Sequence, residues 1–282
     1  MPQIIPIKDL RNTNEEINHQ RIILGLSIIG IYAAIFYIVP DIIVSIMRHS
    51  FITEKGIDIQ VLNPQSPLYN EAIYKEFANK YEVLLELIVY VILLIGICIP
   101  SFPLLKEDFK RINKKTFLFG LLGLAAIIVS SIICSSLLTS LGVNNEAGNE
   151  QAITDMFSSS FTNGLLLSLV TVIMAPIIEE LVFRKALFTI LGNRTRLALV
   201  ISSLIFGSMH IINPCIEEIA TGNFYTFSIE FIYLIIYSVM GLVLGLTYIK
   251  TERNVIGSIF THMLNNFCSL IITLFSIYFL GL

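Results

Sequence analysis

"APIIEELVFR", residues 175–184, decides how the rest of the chain is read. Two adjacent carboxylates, Glu179 and Glu180, stand in an otherwise apolar run, with "GLLLSLVTVIM" before it and "KALFTIL" after. An acid at the centre of a spanning helix costs about 2.5–3.5 kcal/mol on insertion scales, so such residues face a bundle interior and are functional by default. As neighbours, the two side chains project roughly 100° apart on a helix. They therefore serve different partners. Glu180 precedes Arg184 by four residues, the favourable spacing for an acid and a base on one helix face. Arg184 can neutralise Glu180 and leave Glu179 turned toward something else. A structural ion lock between two helices accounts for this stretch equally well.

The composition fits a membrane setting for these acids. Of 282 residues, 55% are hydrophobic and only 14% are charged, where soluble domains average about 25% charged. Mean hydropathy is +0.80. This is the composition of a polytopic all-α membrane protein, with the lipid bilayer as its main partner. No basic cluster with interleaved aromatics points to nucleic acid. The four cysteines, Cys98, Cys134, Cys215 and Cys268, show no Cys-x-x-Cys spacing and read as packing thiols.

Seven stretches supply the roughly 20 mainly apolar residues that a spanning helix needs. They are 22–47, 83–105, 116–141, 162–191, 197–213, 229–249 and 254–280. An eighth span would have to lie within 48–82, where "NPQSP" is a breaker cluster and "LYNEAIYKEFANKYEV" reads as an amphipathic lead-in to span two. The chain divides into an N-terminal segment (1–21), accessory helices with a first outer connection (22–161), and a core of four helices (162–282). The stretch at the N-terminus is polar, and the apolar run after it is too long for a signal peptide, so it reads as a retained span.

Basic residues set the orientation. The N-terminus, "KEDFKRINKK", "GNRTR" and "KTERN" together hold 12 of the 18 Lys and Arg residues, and they are alternate connections. Of the opposite connections, the first holds Arg48, Lys55, Lys75 and Lys80, and the segments "GVNNEAGNEQAITDMFSSS" and "INPCIEEIATGNFYTFS" hold none. The N-terminus is therefore expected in the cytoplasm and the C-terminus outside.

Two of the four histidines, His19 and His49, lie in polar flanks. The other two, His210 in "FGSMHIINP" and His262 in "FTHMLNN", fall inside apolar spans. Asn266 stands four residues after His262 on the same helix face, where an amide needs polar partners. Glu86 is a further acid, close to the boundary where span two begins. At about 1.5 Å per residue, Glu179 lies roughly 18 Å, His210 roughly 21 Å and His262 roughly 14 Å from the basic turns of their own helices. The three groups can meet at similar depth.

A carboxylate, two imidazoles and an amide converging in an apolar bundle fit hydrolysis. A buried Glu can take a proton from water. An amide can donate to a developing oxyanion. Two histidines and a Glu also suffice for a zinc site with an open position, although no His-Glu-x-x-His is present.

In these residues the chain resembles the type II CAAX prenyl endopeptidase family, also called CPBP or ABI intramembrane proteases. Glu-Glu-x-x-x-Arg corresponds to Glu179, Glu180 and Arg184; Phe-x-x-x-His to Phe206 and His210; and His-x-x-x-Asn to His262 and Asn266. The glycine-rich helix before the last motif is similar to "MGLVLGLTYIKTERNVIGSIFTH". The resemblance covers about 175–267 and leaves 1–160 without a recognised motif. It implies a peptidase in which Glu179 and His210 activate water while His262 and Asn266 stabilise the oxyanion. It leaves open whether a zinc ion is bound by His210, His262 and Glu179. The implied substrate is a membrane-associated peptide or protein. The Ile-, Asn- and Lys-rich loops read as bacterial, which points to a plasma-membrane location and away from a prenylated substrate. Two other readings stand beside the peptidase. One is a non-catalytic binding or bacteriocin-immunity protein on the same scaffold. The other is a proton-coupled transporter, which calls for repeated halves that the sequence lacks.

Overall fold

The computed structural model describes residues 7–140, 142–143, 153–157, 160–222 and 224–280. The connection around Glu146 lies mostly outside the described residues. Among those described there is no strand, and seven helices are long and apolar enough to cross a membrane. They are α1 (Ile7–Lys55), α2 (Glu71–Lys110), α3 (Lys114–Ser140), α4 (Thr162–Leu191), α5 (Thr195–Thr221), α6 (Phe224–Lys250) and α7 (Val255–Phe275). Large apolar side chains on the outside stay open, with Ile99 at 70% and Phe102 at 64% exposure. These faces are what a bilayer covers.

The segment 48–82 is more helical than its polarity implies. Helix α1 runs on to Lys55, and α2 begins at Glu71, so the amphipathic lead-in is a continuous part of α2. Arg48, Lys55, Lys75 and Lys80 thus sit on helix extensions rather than in a loop. Between them Asp58 caps a short 3-10 turn, Ile59–Leu62, and Asn70 caps α2 by accepting from the N–H groups of Ala72 and Ile73. Both caps satisfy donors that a helix start leaves free. No eighth span forms here.

In lipid, helices associate through close backbone approach and hydrogen bonds rather than through a hydrophobic drive. Small residues provide that approach. A Cβ on Gly207 would meet the Leu234 carbonyl oxygen at 2.9 Å, so α5 and α6 are in backbone contact there. A Cβ on Gly241 would meet the Ser203 Cα at 3.1 Å. Helix α7 meets α3 through Thr261 Oγ1, which donates to the Gly120 carbonyl at 2.9 Å. The apolar core, including Leu93, Ile178, Leu181, Phe206 and Leu244, surrounds α4, the most enclosed span.

The basic connections gather at one end of the bundle. Arg111 Nη1 donates to the Glu252 carbonyl at 3.0 Å, and Arg253 Nη2 donates to the Gly192 carbonyl at 3.0 Å and to Thr195 Oγ1 at 2.6 Å. The α2–α3, α4–α5 and α6–α7 connections are therefore bonded to one another.

Candidate active site

Helix α4 is not a regular helix. Two π-helical stretches, Val170–Met174 and Leu181–Ala186, flank the α-helical Ala175–Glu180 that carries both glutamates. Such stretches occur often at functional sites. The first leaves a carbonyl without a helical partner. The Ala175 N–H bonds back to the Val170 carbonyl. The next nitrogen, that of Pro176, carries no hydrogen, so the Thr171 carbonyl has no donor from the following turn. Asn266 Nδ2 supplies one at 2.8 Å. This bond ties α7 to α4 and leaves Asn266 with a second N–H.

Glu180 and Arg184 are fully buried and approach to 3.3 Å between Oε2 and Nε. Neither of these two atoms has an aligned hydrogen bond, so the contact is one of charge. Arg184 Nη2 donates to the Gly241 carbonyl at 3.2 Å, and the guanidinium lies 5.2 Å from the centre of the Phe206 ring. The other oxygen of Glu180 sits 3.2 Å from His262 Nδ1. A carboxylate accepts, so this nitrogen carries the proton, and Nε2 is turned away from Glu180. It faces Glu179, whose Oε2 is 3.9 Å away, is buried and has no hydrogen bond. His262 thus stands between the two acids.

His210 is fixed differently. Its Nδ1 lies 2.8 Å from the Phe206 carbonyl, which can only accept, so Nε2 is again the free nitrogen. Its ring is stacked on Tyr237 and tilted against Phe206, each at 4.6 Å between centres. Phe206 also meets the His262 ring edge-on at 5.7 Å, so one phenyl ring touches both imidazoles and the guanidinium. No hydrogen bond joins His210 to Glu179 or His262 among the described residues.

Glu179, Glu180, Arg184, His262 and, through Thr171, Asn266 are thereby linked across α4 and α7, and His210 joins them through Phe206. Glu86 is partly buried on α2, and among the described residues no hydrogen bond or ion pair joins it to this set. His19 and His49 are exposed. A zinc site does not fit the side chains as they lie: among the described residues no three His, Cys, Asp or Glu groups gather to hold a metal ion. The four cysteines are free. Several site features were absent from the sequence reading: the π stretches, the Thr171 carbonyl, Tyr237 and the central place of the Phe206 ring. Pro176, three residues before Glu179, was the available signal for the carbonyl.

A helical bundle with seven apolar helices long enough to cross a membrane is the architecture of a polytopic membrane protein. Residues 161–268 match the sequence model of the Rce1-like type II CAAX prenyl endopeptidases. A Bacillus subtilis protein named "Putative membrane peptidase YdiL" is 31% identical over 127 residues, covering 44% of this chain and 43% of its own length. An uncharacterised protein of Mycoplasma capricolum subsp. capricolum is 27% identical over 180 residues, covering 61% of this chain and 48% of its own length. The matched regions span about half the length of these relatives. No solved structure matches the chain.

Proposed function

We propose that the chain is an intramembrane endopeptidase that hydrolyses a peptide bond with a water activated by Glu179. The observation that carries this reading is the pair of atoms left free between α4 and α7. Glu179 Oε2 is buried without a hydrogen bond, and His262 Nε2 faces it at 3.9 Å while Glu180 holds the other side of the ring. That separation is too long for a hydrogen bond and leaves both atoms able to accept from one water. The water oxygen adds to the scissile carbonyl carbon as its proton passes to Glu179. The second N–H of Asn266 is the neutral donor to the oxyanion. Collapse breaks the C–N bond, and Glu179 returns the proton to the leaving amine. His210, with Nε2 free, faces the same interior and assists proton transfer. This assignment gives His262 the water-positioning role that the family resemblance implies for His210.

The catalytic core in this reading is 162–282, with 22–161 as its support. The substrate is a membrane-associated peptide or protein. The N-terminus lies in the cytoplasm, because the basic connections share one end; reporter fusions after Arg196 and Arg253 that read as external would reverse this.

The test compares Glu179→Gln with the unaltered chain. The amide keeps volume and hydrogen-bonding capacity but removes the base. The variant should keep its thermal stability and lose about 10²–10⁴ in turnover. Comparative peptidomics of cells carrying each form should show cleavage products only with the unaltered chain. Identical peptide profiles from two equally folded proteins would leave the non-catalytic binding or immunity reading in its place.

A further inference from the structure

Outside the site, a cavity opens at the end of the bundle where the basic connections meet. It has a volume of about 870 Å³ and is lined by Arg21, Arg111, Lys185, Arg194 and Arg253, against the carboxylates of Glu107 and Glu252. Buried Asp108 behind the wall takes up part of this charge by pairing with Lys185 and Arg111. A cationic excess remains. The Arg194 side chain makes no hydrogen bond or ion pair among the described residues, and Arg21 reaches Glu107 only at 3.5 Å. Helix α5 begins at the cavity wall, and its N-cap, Arg194, provides no side-chain cap. The first N–H groups of a 27-residue helix are therefore without a capping side chain and carry the positive end of its dipole.

We propose that this cavity binds the headgroup of an anionic phospholipid. The chemistry required is a phosphate monoanion, and two features favour a membrane lipid over free phosphate as its source. The cavity lies at the ends of spanning helices, at headgroup level. Its wall also includes the exposed Ile22 and the partly exposed Ile190, with Leu104 and Phe188 buried behind them, an apolar edge suited to the glycerol and upper acyl chain rather than to an inorganic ion. Basic pockets between spanning helices recognise anionic headgroups by this combination. The bound lipid would bridge α1, α4 and α5 beside the turn that ends α4. This inference is independent of peptide hydrolysis.

The full chain is placed in nanodiscs of phosphatidylcholine alone and of phosphatidylcholine with phosphatidylglycerol, and inorganic phosphate is added separately to the first. Thermal unfolding and native mass spectrometry are the readouts. Phosphatidylglycerol should be retained on the released protein and should raise its Tm, while phosphate should not. The double variant Arg21→Gln, Arg194→Gln changes two exposed side chains, so its Tm in phosphatidylcholine should equal that of the unaltered chain. Its retained phosphatidylglycerol and the associated Tm rise should be lost. Equal retention of both lipids, or full retention by the double variant, would overturn the proposal. A Tm rise with phosphate matching that with phosphatidylglycerol would assign the cavity to a free anion instead.

Discussion

Two buried ionic clusters draw on neighbouring residues of α4, Lys185 in one and Glu179, Glu180 and Arg184 in the other, and they are built on opposite rules. At the end of the bundle, Asp108 is saturated. Its Oδ2 accepts from Lys185 Nζ at 2.5 Å and from the Val255 N–H at 3.1 Å, its Oδ1 accepts from Arg111, and its carbonyl accepts from Asn254 Nδ2 at 2.9 Å. In the middle of the bundle, Glu179 Oε2, Glu180 Oε2, Arg184 Nε and Arg184 Nη1 are buried without aligned hydrogen bonds. An unsatisfied buried polar group costs about 1–3 kcal/mol, and more when charged. A chain that completes one cluster and leaves the next incomplete keeps the second available for a further molecule. The end cluster clasps α2, α4 and α7, and the central cluster works inside the frame that the clasp holds.

Asp108→Ala should show the largest effect on folding. It strands Lys185, 6% exposed, without its partner, and breaking a buried pair from one side costs about 3–5 kcal/mol. The expected outcome is a large fall in Tm and in folded yield, with activity lost only in proportion to folded protein. Replacing Asp108 and Lys185 together with apolar residues should restore much of the stability. If Asp108→Ala unfolds at the wild-type temperature yet is inactive, the clasp belongs to the chemistry and the contrast fails.

Arg184→Ala comes next. It leaves Glu180 buried, but the His262 imidazole still reaches Glu180, so the loss should fall near or below the lower end of about 3–5 kcal/mol. Unlike Asp108→Ala, it should also lower activity per folded molecule, because His262 is oriented by the carboxylate that Arg184 holds. Arg184→Lys should rescue only part of either effect. Arg184 meets Glu180 through Nε and the Gly241 carbonyl through Nη2, and one ammonium cannot reproduce both directions. Unfolding temperatures read beside turnover separate the two losses. Full rescue by lysine would mean that charge alone matters.

How much of this was legible in the sequence depends on distance along the chain. The seven spans follow from apolar run length. The pairing of Glu180 with Arg184 follows from a spacing of four, and the meeting of α4 with α7 from polar residues at matched depth. What escaped is carried by side chains far apart in sequence or by backbone irregularity. Asp108 stood in a charged loop and Lys185 beside a motif residue, and nothing local joins two positions on separate helices. The lead-in to α2 was legible from its periodicity, whereas the polar extensions of α1, from Ile7 and on to Lys55, escaped because a polar helix extension at a membrane surface carries no hydropathy signal. The π stretches left no periodicity to read, since each adds only one residue to a turn.

Pro176 gives the smallest expected effect on stability and the sharpest test of how the central cluster is positioned. Its ring nitrogen lacks the hydrogen that would serve the Thr171 carbonyl, and Asn266 serves it at 2.8 Å instead. Pro176→Ala restores an N–H at that nitrogen. The helix can then close on its own carbonyl, and a proline replaced in a helix interior relieves local strain. The net change in stability should be within about 1 kcal/mol, the typical worth of one exchanged hydrogen bond. Activity should fall further than stability, because Asn266 loses the anchor that fixes its second N–H toward the reacting carbonyl. Asn266→Ala gives the complementary result. It removes the donor while Pro176 remains, so the Thr171 carbonyl is left unpaired and both stability and turnover fall. The double variant Pro176→Ala, Asn266→Ala should recover the stability lost by Asn266→Ala alone, since the new N–H replaces the missing amide, and should recover none of the turnover. Strictly additive stabilities in this cycle would show that the proline and the amide do not share the carbonyl, and the positioning role of Asn266 would lose its structural basis.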